Sequence, residues 1–316
     1  MRMLQQFGIL LAAVCVTTAA ALADDTLRVA VGQRGLWDTS VAELGQRGGF
    51  FKKQGIALDI LYTQGGGETQ QAVISGSVEV GVAAGSLGVF GAFSKGAPVR
   101  IIGAEMTGGA DLFWYVRADS PIRTLRDIDG RTIAYSTNGA STHAIVTALI
   151  KQYDLKAKAI ATGSPPSTLT QVMSGQIDVG WAGPPFGLDL IEQGKIRVVA
   201  NGNDTELRNQ TVRLLITNAG TLQARQPVLA RFMKAYRETV DWMYADSAVF
   251  RHYADFMGIG EATMRRAREG FYPRAALDPD TIVGIDAINA DAVVFKYTAA
   301  PLTREQFAEL IRIPPR

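Results

Sequence analysis

Cysteine is nearly absent from this chain of 316 residues: Cys15 is the only one, and it lies in an apolar N-terminal run. The rest of the chain therefore has no disulfide, no thiolate nucleophile and no Cys metal ligand. Histidine is almost as scarce, with only His143 and His252. Zinc sites use several His, Cys or carboxylate ligands at helical or hairpin spacing, and the sequence shows no such cluster. The patterns H-E-x-x-H and G-x-S-x-G are missing. The Gly-Gly-Gly run at 65–67 is not followed by the Gly-Lys-Ser/Thr of a phosphate-binding loop, and Gly-Gln-Arg-Gly at 32–35 does not complete a dinucleotide fingerprint. Both read as tight turns after strands. Nothing here supports an enzyme, a metal site or a cofactor. The formal charge is only +2, with no basic stripe or Arg-rich arm, so no nucleic-acid partner is expected. After Leu22 no apolar run reaches the roughly 20 residues of a spanning helix.

The N-terminus does carry a signal. Met1-Arg2-Met3 precedes an apolar run over 7–22, which closes with Ala21-Leu22-Ala23 before Asp24-Asp25. A basic start, a short apolar stretch and an A-x-A site are the parts of a secretory signal peptide, with cleavage expected after Ala23. A lipid-attachment reading of Cys15 fits less well, because Val14 stands where such signals carry a small residue.

The following residues alternate between strand and helix patterns. Strands are predicted over 26–32, 56–63 and 78–83, with helices over 41–51 and 68–75 between them. The pattern restarts with strands over 131–135, 158–162 and 177–182 and helices over 140–153 and 167–173. This order predicts α/β layers with mostly parallel sheets. The chain also repeats itself. Residues 75–83 (SGSVEVGVA) and 174–182 (SGQIDVGWA) share the pattern S-G-x-[VI]-[ED]-V-G-x-A, and Thr69 aligns with Thr168 at the same offset. Two copies of one unit predict two related lobes. Beyond them, helices are predicted over 224–244, 261–269 and 303–311, the last opened by a capping box at Thr303 and Gln306.

Ligands of open α/β sheets sit beyond the carboxyl ends of the strands. Those ends are rich in Gly, Ser and Thr, and they place backbone N–H groups at helix N-termini, which favours an anionic ligand group. The candidate ligand residues are Arg34, Trp37, Asp38, Gly66, Gly67, Glu68, Thr69 and Ser86 in the first copy. In the second they are Asn138, Ser141, Thr142, Pro165, Trp181, Pro184, Phe186 and, further on, Arg208. Trp37, Trp181 and Phe186 are candidate apolar walls, and Arg34 and Arg208 candidate carboxylate or sulfonate clamps. Other readings stay open: Ser141 and Thr142 as helix caps, Trp181 as core, and Glu68 as a cap or a partner for a ligand amine. Trp114 and Trp242 read as core.

Gly49-Phe50-Phe51-Lys52-Lys53-Gln54-Gly55 ahead of the strand, the Gly-rich loop and helix, Ser-Gly-x-Val-Glu-Val-Gly, and Leu125-Arg126-Asp127-Ile128-Asp129-Gly130-Arg131 together carry a resemblance. The chain resembles the nitrate/sulfonate/taurine-type periplasmic solute-binding proteins of ABC importers over most of 27–200. The resemblance implies two Rossmann-like lobes with mostly parallel sheets, joined by a two-strand hinge that closes over the ligand (a type II periplasmic binding protein). It implies a periplasmic monomer that captures a small-molecule ligand, here expected to be a small organic anion. It also implies delivery to an ABC permease and its ATPase at the inner membrane. The expected divisions are a signal peptide at 1–23, lobe I at 24–116 and 213–316, and lobe II at 117–212. Relatives on this fold include yeast thiamin-pyrimidine synthases, which use a Cys-rich segment that this sequence lacks. A periplasmic enzyme or a sensory receptor on the same fold are the alternatives.

Overall fold

The computed structural model describes residues 24–316, and the expected export signal lies outside the described residues. The β-branched and leucine-rich segments that follow the turn signals form strands. These are β1 (Asp25–Val31), β2 (Ile56–Tyr62), β3 (Val80–Gly85), β4 (Val99–Thr107) and β5 (Phe113–Arg117). Next come β6 (Thr132–Tyr135), β7 (Lys158–Ala161), β8 (Gly180–Ala182), β9 (Ile196–Asn201) and β10 (Thr211–Asn218). The helices between them are α1 (Val41–Arg47), α2 (Phe50–Lys53), α3 (Gly66–Ile74), α4 (Ser86–Ser94), α5 (Ser141–Gln152), α6 (Pro165–Met173) and α7 (Leu188–Glu192). Five more close the chain: α8 (Ala219–Ala245), α9 (Val249–Met257), α10 (Glu261–Phe271), α11 (Ile285–Val294) and α12 (Arg304–Leu310).

Two sheets form, and they have one plan. The first runs β2-β1-β3-β10-β4, with β10 antiparallel to both its neighbours. The second runs β7-β6-β8-β5-β9, with β5 antiparallel to β8 and β9 and a parallel bridge from Ile133 to Val179 joining β6 to the approach of β8. In each sheet the fourth strand arrives from the other half of the molecule. The structure is thus two α/β lobes, each closed by a strand of the returning chain. Sheet membership changes between Thr107 and Phe113 and again between Asn201 and Thr211. Val116 and Arg213 lie inside β5 and β10, a few residues past these connections.

The internal repeat has a physical meaning. Gly76 and Gly175 take positive φ just after α3 and α6, the left-handed helix stop that glycine permits most readily. The acid of each copy grips the neighbouring strand: Glu79 Oε2 accepts from Arg28 N–H at 2.8 Å, and Asp178 Oδ2 from Thr132 N–H at 2.9 Å. The aligned threonines pair with their loops in the same way, Thr69 with Thr63 at 2.8 Å and Thr168 with Thr162 at 2.6 Å.

One face of the first sheet packs on α1, α2, α8 and α9 through Phe51, Phe232, Tyr236 and Phe250. The other face meets α3 and α4 and is continuous with the core of the second lobe around Trp114, Ile145 and Trp181. The helix predicted over 41–51 is interrupted, because Gly49 turns left-handed between α1 and α2. The long helix begins earlier than predicted and kinks at Arg225, just before Pro227, whose ring cannot continue the hydrogen-bond ladder. The capping box at Thr303 and Gln306 forms as read. Trp114 is buried, whereas Trp242 is half-buried beside Phe50 and His252.

Candidate functional site

The loops after β1, β2 and β3 face those after β6, β7 and β8 across the seam between the lobes. Backbone meets backbone there. A methyl on Gly67 would stand 2.0 Å from the Asn138 carbonyl oxygen, and one on Gly85 would stand 2.2 Å from that of Gly139. Gly67 N–H donates to Thr137 Oγ1 at 3.0 Å, Ser164 N–H to Gln64 Oε1 at 3.1 Å, and Tyr272 O–H to the Pro184 carbonyl at 2.8 Å. At the rim, Arg266 of α10 pairs with Asp189 and Glu192 of α7.

Inside the seam is a cavity of about 10 Å³, room for about one water. Gln33, Gly66, Ser141, Thr142, Trp181 and Arg213 are among its lining residues. Gln33 and Ala83, which also lines it, hold positive φ; such strain in a non-glycine residue tends to collect at functional sites. Trp181 Nε1 is buried with no hydrogen-bond partner. The cavity also receives the N-termini of α3 and α5, whose first N–H groups point outward from the helix.

Behind Arg213 lies a sealed charge cluster. Its Nη2 donates to Asp111 Oδ1 at 2.7 Å, and its Nε stands 3.3 Å from both Asp38 Oδ2 and Glu105 Oε2. All three carboxylates are fully buried. Burial pushes Glu105 well above the usual carboxylate range, and the charge of Asp38 adds to this against the pull of Arg213. Burial likewise pushes Asp111 up to about 6, opposed by Arg213. Burial works against the charge of Arg213, but Asp111, Asp38 and Glu105 outweigh it and hold the guanidinium firmly protonated.

The structure brings together Gly66, Ser141, Thr142 and Trp181 as lining, with Gly67 and Asn138 at the lobe contact. Thr142 Oγ1 accepts from Ser136 N–H at 3.0 Å and so also ties down its own loop. Other expected residues have structural work instead. Trp37 is no cleft wall: its indole is buried among Tyr244, Phe250 and Tyr253 and donates to Tyr244 Oη at 3.1 Å. Thr69 is the loop button described above. Glu68 accepts from Gln64 N–H at 2.9 Å at the start of α3, and Ser86 Oγ donates to the Thr211 carbonyl at 2.6 Å. Pro165 and Phe186 line a separate apolar pocket of about 110 Å³ with Tyr115 and Leu169. Pro184 offers its carbonyl to Tyr272. Arg34 donates to the Phe256 carbonyl at 2.9 Å and stacks on that ring, and Arg208 is exposed beside Glu206. Asp38 is present, but beneath Arg213 and not on the cavity wall.

Sequence reasoning missed Arg213, Glu105 and Asp111. A charged residue in the middle of the apolar run Thr211–Asn218 was the available signal for Arg213. Among the described residues no group of His, Cys, Asp and Glu is arranged to hold a metal ion, and no helix is long and apolar enough to cross a membrane. A larger groove of about 830 Å³ runs between α8 and residues 312–315, away from the cleft. The cleft is the place where unpartnered donors, backbone strain and both lobes coincide.

Solved structures share this architecture. The alkanesulfonate-binding protein SsuA of Xanthomonas axonopodis pv. citri, bound to MOPS, superposes with a TM-score of 0.77 at 20% identity, covering 93% of this chain and 100% of its own. The periplasmic aliphatic sulphonate binding protein SsuA of Escherichia coli gives 0.66 at 19% identity, covering 92% and 93%. The desulfurization enzyme DSZB gives 0.61 at 17% identity, covering 90% and 96%. At these identities the likeness shows the periplasmic binding protein fold. No curated protein matches the sequence. The family model described as NMT1/THI5 like matches residues 42–248, well over half of the chain, and the chain belongs to the NMT1/THI5-like family.

Proposed function

We propose that this protein is the periplasmic solute-binding component of an ABC importer, and that it captures a small organic anion such as a sulfonate or an aromatic carboxylate. The observation that carries the reading is the donor set of the cleft. Arg213, Trp181, whose indole N–H is unpartnered, and the first residues of α3 and α5 line one cavity, while the nearby carboxylates are sealed behind Arg213. Two of the similar folds bind sulfonates by their descriptions, which supports the same ligand class here.

In this reading the lobes divide where the chain changes sheets, at 108–112 and 202–210. The lobes close as rigid bodies around those connections, and the ligand favours closure by touching both. Export by the 1–23 segment, life as a monomer and delivery to a permease complete the proposal. Calorimetry against sulfonates, aromatic carboxylates, amines and neutral sugars tests it. Binding confined to amines or sugars would overturn the anion reading. The desulfurization enzyme on a similar fold motivates a second arm: incubation with each bound compound, followed by product analysis. In this chain Glu68 holds the Gln64 N–H ahead of α3, and His143 accepts a hydrogen bond from Tyr297 O–H at 2.9 Å across the lobes in its Nε2–H tautomer. Turnover lost on replacing either residue would favour an enzyme.

A further inference from the structure

Three carboxylates share one guanidinium under the cleft floor. Asp38 comes from the loop after β1, Glu105 from β4, Asp111 from the first lobe connection and Arg213 from β10. Of the six carboxylate oxygens, Asp38 Oδ1 and Oδ2, Glu105 Oε1 and Oε2, and Asp111 Oδ2 accept from no donor of the protein, and Asp38 and Glu105 lie close enough to hydrogen-bond to each other when one is protonated. The other ionisable groups facing the cluster are phenols: Tyr236 and Tyr244 of α8, Tyr253 of α9, and Tyr272. None of them donates to a carboxylate. Tyr244 bonds the Tyr272 carbonyl, Tyr253 the Gly35 carbonyl and Tyr272 the Pro184 carbonyl. Among the described residues Arg213 is the one cation paired with the cluster, and buried charge without a partner is costly. Of the four clustered residues only Arg213 lines the cavity, and its Nη1 makes no hydrogen bond to the described residues.

We propose that the cleft takes up a proton from solvent together with its anionic ligand, and that the Asp38–Glu105–Asp111 cluster around Arg213 is where this proton resides. The inference rests on the reading of the cleft as an anion site. An anion placed on the open side of Arg213 offsets the positive charge that the carboxylates feel. Their negative forms become less favourable, and the cluster binds a proton as a unit. Linkage is reciprocal, so the proton strengthens anion binding by the same factor. Burial already pushes Asp111 up to about 6, so an anion that raises it further moves its proton exchange into the range of the test. Glu105 and Asp111 thereby become residues that set ligand charge without touching the ligand.

The test is calorimetry of the full mature chain with ethanesulfonate, benzenesulfonate and benzoate, in buffers of different ionisation enthalpy between pH 6 and pH 8. These ligands stay ionised over that range, so any proton taken up is bound by the protein. The expected result is net uptake of up to one proton, with affinity falling as pH rises by at most about tenfold per pH unit. Glu105→Gln, which mimics the protonated acid, is expected to bind with a smaller proton count and a flatter pH profile. Asp111→Asn keeps an acceptor for Arg213 and serves as the second variant if the first does not fold. Binding with buffer-independent enthalpy overturns the proton linkage and leaves the anion reading intact. So does an unchanged proton count in a folded variant. Proton release overturns it as well. Failure of all three probes to bind overturns the linkage together with the anion reading on which it rests.

Discussion

Gly67→Ala separates lobe closure from lobe folding. Gly67 is the second residue of α3, and alanine there is compatible with its helical backbone. The three nearest atoms an added methyl would meet belong to the other lobe: Asn138 O at 2.0 Å, Asn138 C at 3.0 Å and Thr137 Oγ1 at 3.0 Å. Ordinary contact begins near 3.4 Å, so the lobes must part by more than an ångström at this point. That movement breaks the Gly67 N–H bond to Thr137, worth about 1 kcal/mol net. Residual crowding adds about 1–3 kcal/mol. The closed state therefore loses about 2–4 kcal/mol relative to the open one, which weakens ligand affinity by roughly 30-fold to 1,000-fold. The open protein loses nothing and gains up to about 1 kcal/mol of helix propensity. The assay pairs calorimetric affinity with thermal melting without ligand. Gly270→Ala is the control, since a methyl there meets nothing within 4 Å, and it should leave affinity unchanged. Wild-type affinity in a well-folded Gly67→Ala protein would refute the claim that this glycine gates closure. A large drop in melting temperature would refute the claim that the clash lies only between lobes.

Other outcomes follow from the cleft. Arg213→Met leaves three buried carboxylates without a counter-charge, so urea unfolding should show a loss of about 3–5 kcal/mol at pH 8, shrinking at pH 5 as the acids protonate. Glu105 and Asp111 titrate higher in the folded chain than in the unfolded one, so the native state binds more protons between about pH 4 and their folded values. Their contribution to stability is fully present below about pH 4 and is lost as pH rises through about 6 for Asp111, with the same sign for Glu105. Burial holds His143 below its ordinary value, which gives an opposite slope under about pH 6.5, so the comparison is made with Glu105→Gln and wild type side by side. Trp181→Phe removes an N–H that has no protein partner; stability should stay within about 1 kcal/mol while anion affinity falls about tenfold. Arg266→Ala loses exposed ion pairs with Asp189 and Glu192, and should change stability by less than about 1 kcal/mol while altering the salt dependence of ligand association in stopped-flow measurements.

The sequence by itself determined the elements and the kinship of the lobes. Period-two and helical patterns, Gly stops after α3 and α6, and the paired Ser-Gly-x-[VI]-[ED]-V-G-x-A segments are local, and local physics fixes them. The repeat even marked residues with identical bonds, Thr69 with Thr168 and Glu79 with Asp178. Thr69 is a site candidate by its place beyond a strand end, yet its repeated bond shows that it serves the repeated framework. Trp37 and Trp181 look alike in sequence, each just beyond or within a strand, yet one is core and the other lines the cleft with its N–H unpartnered. Only the tertiary structure decided between them. It alone also decided the cluster of Asp38, Glu105, Asp111 and Arg213, because two strands cross between the lobes and β10 inserts beside β4. Residues far apart along the chain carry no local signal of meeting, and strand order, which long-range packing sets, is what placed one guanidinium among three carboxylates at the floor of the cleft.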